Sequence, residues 1–337
     1  MPSEKTVAYV GHDGKNLYIA IRCFDSSPDR IKFSVTNRDN PLNDDTVYVY
    51  LDTFNEKRRA FVFGFNPIGV QIDGIFLDEG GSQSTKTDWD TVFFSDGKID
   101  DNGYLVEVAI PFKSIRFPAK KEIIWGMIIE RHIPRKGEFI TWPSRSRDIS
   151  GVLAQSGQIN IEGKIERGRN IEIIPVFTSL KKYKEKIDPQ PGISFKYGLT
   201  SDLVFDATLN PDFSHIEADA PQIDINQRYA LYWREKRPFF LEGKEIFETP
   251  INIIYTRQII DPIIGGKITG KVGRLSIGYI LSLDQNPTES LWEISDPTES
   301  AEKQAFFNIF RAKYDLFKES YVGLSLTDKE INDGSYN

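Results

Sequence analysis

Hydrophobic and polar residues alternate with a period of two along most of this chain, which is the pattern of half-buried β-strands. In the clearest early example Leu17, Ile19, Ile21 and Cys23 share one face of a predicted strand. Further strands are predicted at 6–10, 46–52, 59–65, 70–76, 104–110, 123–129 and 139–142. Glycine, asparagine, aspartate and proline separate them, and no long segment keeps a helical period. Short strands at this spacing predict a β-sandwich over residues 1–163.

From residue 168 onward large apolar side chains oppose small polar ones. In the segment 275–283 leucine, isoleucine and tyrosine face one way, serine and glycine face the other, and Ile280 alone breaks the rule. Short connections at 201–202, 273–274 and 317–320 contrast with one long polar loop at 284–304. Short turns and long loops typify outer-membrane β-barrels, whose outer side faces lipid. The segment 168–337 is therefore predicted as a partial antiparallel barrel, although solvent-facing strands have a similar pattern.

Composition supports an all-β chain and narrows its chemistry. Aromatic residues make up 12% of the 337 residues, and aromatic side chains suit strands. The net charge of −7 argues against nucleic acid as a partner, since phosphate binding needs a basic surface. The one cysteine, Cys23, is expected in the core, and it excludes an internal disulfide framework.

Three segments of the first half resemble a known family. They are 15–20 (KNLYIA), 44–53 (DDTVYVYLDT) and 103–111 (GYLVEVAIP). Together they make residues 3–163 similar to a family 9 carbohydrate-binding module. The resemblance implies a glycan ligand for the sandwich.

Exposed aromatic rings bind the apolar faces of pyranose sugars, and polar side chains bind the hydroxyl rim. Trp89 and Trp142 lie in polar surroundings and are the predicted stacking residues, while Arg131 and Glu107 are predicted hydrogen-bonding partners. The alternative is that both tryptophans cap the core. Trp125 lies within an apolar strand and is expected to be buried.

Asp44, Asp45 and Asp52 form an acidic group around one predicted strand. Calcium binds several such oxygens, and the family resemblance implies a structural calcium ion as the one candidate cofactor. The spacing is not that of an EF-hand, so solvated turn residues are the alternative.

The second half resembles an outer-membrane family known as domain of unknown function 5916, on the segments 208–219 (TLNPDFSHIEAD), 235–243 (EKRPFFLEG) and 266–271 (GKITGK). That family pairs its barrel with an N-terminal family 9 module. The resemblance implies the outer membrane as location, lipid as a partner and the sandwich in the periplasm or at the barrel mouth. With no signal peptide at its start, the chain is expected to be a fragment truncated at both ends.

The segment 208–247 interrupts the alternation and is predicted to be plug-like within the barrel. Within it His215, Glu217 and Asp219 would share one strand face, where they could bind a metal or act as acid and base. Glu217, Asp219, Glu235 and Glu242 are the weak catalytic candidates.

The leading functional hypothesis is glycan binding by a sandwich attached to an outer-membrane barrel. The first alternative is a glycoside hydrolase in polysaccharide catabolism, which needs two carboxylates at a set separation. Glu217 with Asp219, or Glu235 with Glu242, are the pairs to test. The second alternative is a structural envelope protein without a ligand.

Overall fold

The computed structural model describes residues 2–40, 43–79, 82–87, 89–118, 122–166, 171–180, 188–200, 202–211, 235–249, 251, 253–285, 304–316 and 320–331. Within them the chain divides into two compact units. Among the described residues, the first unit covers those within 2–166, and the second covers those within 171–316 and 321–331. Both are built almost entirely of strands, so the predicted all-β fold class is confirmed. No helix among these residues is long and apolar enough to cross a membrane.

The strands of the first unit are β1 Thr6–His12, β2 Asn16–Phe24, β3 Thr46–Asp52, β4 Arg59–Phe65, β5 Gln71–Glu79, β6 Ser82–Lys86, β7 Phe94–Asp100, β8 Gly103–Pro111, β9 Ile123–Ile133, β10 Glu138–Trp142 and β11 Gly157–Ile161. A four-stranded antiparallel sheet has the order β1-β2-β8-β7. A second sheet has the order β10-β9-β3-β4-β5-β6, with β11 also paired to β9.

The core of the first unit lies between these two sheets. The alternation predicted for β2 holds, because Leu17, Ile19, Ile21 and Cys23 are all buried there. Trp125 on β9 is also fully buried, as its apolar neighbours predicted. The remaining side chains of β2 therefore point away from the core, toward the outer face of the four-stranded sheet.

The strands of the second unit are β12 Ile171–Leu180, β13 Asp188–Gly198, β14 Leu203–Leu209, β15 Pro262–Val272, β16 Leu275–Asp284, β17 Ala305–Asp315 and β18 Tyr321–Ile331. They form one antiparallel sheet in chain order. Two helical turns, α1 Pro238–Leu241 and α2 Lys244–Phe247, interrupt the strand succession between β14 and β15.

The residues Glu235–Phe247, here called the inner segment, pack on one face of this sheet. Phe240 and Phe247 contact a buried cluster that includes Ile280 and Ile309. A Cβ atom at Gly278 would meet the ring of Phe247, so only glycine allows this close approach. Ile280, the exception in the β16 alternation, thus faces an apolar part of the inner segment instead of water.

The two faces of this sheet differ in polarity. The face under the inner segment carries the buried side chains of Asp206, Lys267, Thr269, Lys271 and Arg311. The opposite face, here called the apolar face, carries in register Ile171, Tyr197, Phe205, Ile268, Tyr279, Phe310 and Leu326. A second row in register comprises Pro175, Ile193, Leu209, Ile264, Leu283, Phe306 and Glu330.

Candidate functional site

A groove of about 640 Å³ lies on the outer face of the four-stranded sheet. Its aromatic side chains are Tyr9 on β1, Tyr18 on β2 and Phe94 on β7, which are 66%, 43% and 63% exposed. Glu107 on β8 and Asp96 on β7 also line it. These five residues define the aromatic groove. Solvent-exposed aromatic rings at three positions of one sheet face are unusual enough to indicate a binding surface.

Strand register sets the shape of the aromatic groove. Gly11, Tyr18, Ala109 and Phe94 form one row across the four strands. Because neighbouring strands lie about 4.8 Å apart, Tyr18 and Phe94 stand roughly 10 Å apart with Ala109 between them. The small side chain of Ala109 leaves a floor between two aromatic walls.

The second row of the groove carries its charge. It comprises Tyr9, Ala20, Glu107 and Asp96, and the two carboxylates occupy directly opposed positions of β8 and β7. Both side chains are exposed, and neither has an ion-pair partner among the described residues. The Tyr18 hydroxyl donates a hydrogen bond to Asp13 Oδ2 at 3.0 Å and accepts one from Asn16 Nδ2 at 3.2 Å, which orients the ring.

Arg22, a basic residue in the next row of the same sheet face, is already paired with an acidic residue. Arg22 donates two hydrogen bonds of 2.6 Å to the carboxylate of Asp100. This bidentate pair lowers the pKa of Asp100 to about 2. Arg22 therefore forms no ion pair with either carboxylate of the aromatic groove. Rings and hydroxyl-binding carboxylates on one face are the chemical groups that carbohydrate sites use.

The structure places Glu107 in this groove but separates it from the predicted tryptophans. Trp89 is half-buried and packs on Phe61, with ring centroids 4.8 Å apart, as part of the rim of the core. Trp142 ends β10 in the other sheet, where it is 50% exposed and its ring covers Gly157. Neither ring belongs to the aromatic groove, and Trp142 keeps an open ring surface.

Arg131 does not fit its predicted sugar contact. Its side chain is 1% exposed and donates hydrogen bonds to the Phe24 carbonyl at 2.8 Å and to Asp25 at 3.4 Å. The guanidinium also lies over the Tyr104 ring, 5.3 Å from the centroid. Arg131 is thus a core cation, and the strand pattern around it could not distinguish an inward arginine from an outward one.

The predicted calcium ligands do not converge. Asp44 and Asp45 precede β3 whereas Asp52 ends it, so about 20 Å of extended chain separates them. Asp44 accepts hydrogen bonds from Ser34 and Asn66, and Asp52 accepts them from the backbone of Glu56 and Lys57. Burial raises the pKa of Asp45 and of Asp52. The three carboxylates lie at opposite ends of β3 and accept hydrogen bonds from protein groups, so one ion cannot bind all three.

Another acidic cluster, Asp39, Asp73 and Asp90, brings three carboxylate oxygens within 4.8 Å of one another. Arg38 occupies the position of a cation there, with its Nη2 atom 2.5 Å from the buried Asp73. Asp73 also accepts a hydrogen bond from the Thr91 backbone at 2.8 Å. Burial raises the pKa of Asp73 to about 6, against the opposing effect of Arg38.

This raised pKa predicts a pH-dependent stability. Between about pH 4 and pH 6 folded Asp73 holds a proton that the unfolded chain releases, so stability falls as the pH rises through this window. We expect the free energy of unfolding, relative to Asp73→Asn, to decrease by on the order of 2–3 kcal/mol from pH 4 to pH 7. Urea denaturation at a series of pH values measures this difference. As a control, the difference in free energy of unfolding between the unaltered protein and Asp101→Asn, a change at an exposed turn position, should not vary between pH 4 and pH 7.

In the second unit, the described catalytic candidates are bound by cations. Glu235 is buried, 2.7 Å from Arg237, and accepts a hydrogen bond from Thr256. Glu242 pairs with Lys196 at 2.6 Å. His215, Glu217 and Asp219, and the plug-like segment over 212–234, lie outside the described residues. The end of that segment, the inner segment, does pack against the polar face of the sheet.

The aromatic groove was missed from the sequence although a signal exists. In β2 the buried set is Leu17, Ile19, Ile21 and Cys23, so Tyr18 belongs to the solvent side. Tyr9 and Phe94 occupy the corresponding side of β1 and β7. Aromatic residues where a strand is expected to be polar indicate such a surface. Only the strand order shows that the three rings share one face.

Comparisons with known proteins support both family resemblances. Residues 4–135 match the family model described as carbohydrate family 9 binding domain-like. Residues 172–272 match the model of a domain of unknown function, DUF5916. The chain thus contains one region that matches each of these two family models.

One solved crystal structure is similar to part of the chain. It is a protein from Bacteroides uniformis ATCC 8492 that is provisionally described as carbohydrate-binding. The identity is 12%, the TM-score is 0.37, and the match covers 47% of this chain and 79% of that protein. No curated protein matches the chain.

Proposed function

We propose that this protein binds glycans through the aromatic groove of its N-terminal unit. The observation that supports the proposal most is the exposure of Tyr9, Tyr18 and Phe94 on one sheet face around a floor of alanine. Burying the apolar face of a sugar ring against these side chains would remove them from water. The match of residues 4–135 to a carbohydrate family 9 binding domain-like model supports the same ligand class.

Removing either aromatic wall of the groove should weaken glycan binding. We expect Tyr18→Ala or Phe94→Ala to weaken glycan affinity by about 10-fold or more, since an aromatic stack contributes roughly 0.5–1.5 kcal/mol beyond its buried area. Titration calorimetry against a panel of neutral and charged oligosaccharides measures the effect. Phe139→Ala is the matched control, because Phe139 is 60% exposed on the other sheet, stacked on His132.

The same panel tests the originally predicted site. Loss of affinity in Trp142→Ala with full affinity in Tyr18→Ala and Phe94→Ala would move the binding surface to β10. If no oligosaccharide in the panel binds the unaltered protein, the glycan proposal is rejected. The hydrolase alternative has less support, because the described acids Glu235 and Glu242 are bound by Arg237 and Lys196.

We further propose that the second unit anchors the protein in the outer membrane, with the apolar face toward lipid and the sandwich in the periplasm or at the barrel mouth. The supporting observation is the inverted polarity of its sheet. Lys267, Lys271 and Arg311 are buried, while Ile171, Leu209 and Leu326 are about half exposed. In water this distribution is unfavourable, whereas in lipid the exposed apolar rows match their surroundings.

A charge in the apolar face should prevent membrane insertion. Ile268 lies in the middle strand of the first apolar row, and Ile268→Glu is expected to shift the protein out of the membrane fraction. An acidic residue at bilayer depth costs up to a few kcal/mol, of the order measured for barrels. Fractionation of cell envelopes and liposome insertion give the readout. Val35→Glu, at an 88% exposed loop position of the sandwich, is the control and should leave fractionation unchanged.

A further inference from the structure

The aromatic groove contains a like-charge arrangement that the fold itself does not explain. Glu107 and Asp96 are directly opposed in the antiparallel pair of β8 and β7. Like charges at directly opposed positions destabilise a strand pair, whereas a basic residue at one of the two positions would stabilise it. Here both positions are acidic, both side chains are exposed, and neither forms an ion pair within the described residues.

The cations of this sheet face do not compensate for these carboxylates. Arg22 and Lys98 follow in the next row along the sheet. Arg22 is bound by Asp100, and Lys98 forms no ion pair with Glu107 or Asp96 within the described residues. Asp96 accepts a hydrogen bond from the backbone of Gly97, which leaves its second oxygen open to the groove. The residues that line the groove include two carboxylates, three aromatic rings and no lysine or arginine.

From this juxtaposition we infer that the groove selects glycans that carry protonated amino groups, such as oligosaccharides of glucosamine. This inference rests on the proposed glycan binding and names its ligand class. The ring of an amino sugar presents the same apolar face as a neutral sugar, so it stacks on Tyr18 or Phe94. Its ammonium group can then lie between Glu107 and Asp96 and form charge-assisted hydrogen bonds with both.

The same geometry discriminates against other glycans. Uronic acids and sulfated sugars would place a third negative charge beside two unpaired carboxylates, which costs binding energy. N-acetylated sugars stack equally well but carry no charge. Affinity should therefore decrease from amino to N-acetylated to anionic oligosaccharides of the same length.

The test is titration calorimetry of the full chain at mildly acidic pH with three probes: a glucosamine hexamer, its fully N-acetylated form and a galacturonate hexamer. We expect the glucosamine hexamer to bind at least about tenfold more tightly than the N-acetylated hexamer, as expected for charged hydrogen bonds. Glu107→Gln combined with Asp96→Asn should remove this preference, so that the variant binds the glucosamine hexamer and the N-acetylated hexamer with the same affinity. Asp101→Asn, an exposed acid outside the groove, should retain the preference.

The outcomes separate this inference from the proposal on which it rests. If the N-acetylated hexamer binds through Tyr18 and Phe94 but the glucosamine hexamer binds no more tightly, the amino-sugar inference is overturned and glycan binding stands. A preference that survives the double substitution overturns it as well. Binding of calcium ions that the double variant loses, without any amine preference, would assign the carboxylates to a metal. If no oligosaccharide binds, both proposals fail together.

Discussion

Replacing Arg131 with methionine is expected to lower the free energy of unfolding of the sandwich by about 3–5 kcal/mol, the cost of removing one partner from a buried ion pair. Arg131 donates to the carbonyl of Phe24 and to Asp25, and Arg135 also binds Asp25, with a distance of 2.5 Å. Methionine fills much of the same volume but donates nothing. The variant would leave the buried Phe24 carbonyl without this donor and Asp25 with one cation fewer.

The measurement is urea denaturation followed by tryptophan fluorescence, for which the buried Trp125 is a reporter of the core. Arg22→Met is the matched control, because Arg22 pairs with the more exposed Asp100 on the outer face. An exposed ion pair contributes at most about 1 kcal/mol. Equal losses in the two variants would contradict the assignment of Arg131 as a core cation.

Replacing Lys267 with methionine is expected to release the inner segment from the sheet of the second unit. The Lys267 ammonium donates to the carbonyls of Phe239 and Glu242, at 2.5 and 2.7 Å, and lies 3.4 Å from Asp206. Its side chain is 1% exposed. Without it, the carbonyls of Phe239 and Glu242 lose this donor and the buried carboxylate of Asp206 loses one cation, which costs about 3–5 kcal/mol.

Hydrogen exchange of residues 235–249 in the purified protein gives the readout, and exchange in this segment should accelerate by two orders of magnitude or more. The matched control is Lys313→Met on β17 of the same sheet. Lys313 is half-buried and lies over the Tyr321 ring, 4.2 Å from its centroid, so its loss should cost about 1 kcal/mol. Unchanged exchange of the inner segment in Lys267→Met would show that the phenylalanines alone hold it.

The alternation of apolar and polar residues predicted most strands because the apolar positions of a half-buried strand are the ones that face the core. Leu17, Ile19 and Ile21 lie in the core as their spacing required. The same local rule failed at Arg131. A charged side chain can point into the core when residues from other strands supply its hydrogen-bond partners. Asp25, which binds Arg131, is 106 residues away in the sequence, and no local pattern reports such a contact.

Ile280 is a second residue whose contacts the local sequence pattern does not predict. Within β16 it breaks the alternation of apolar and polar residues, and from the sequence it is an unexplained exception. In the structure it meets Phe240 and Phe247 of the inner segment, which covers the polar face at that point. The exception thus marks where a distant segment packs.

The sequence by itself determined the all-β class, most strand positions of the first unit and the two family resemblances, since these depend on residue order and local periodicity. It did not predict β6, β7 or β11, and β7 carries Phe94 and Asp96. Only the tertiary structure decided which residues form a site. Tyr9, Tyr18, Phe94, Asp96 and Glu107 come from four strands, and hydrogen-bonded register brings them to one face. Asp44 and Asp52, which are close in sequence, are held apart by the length of an extended strand. Strand pairing joins distant residues and extended backbone separates near ones, so spacing along the chain does not predict which side chains meet.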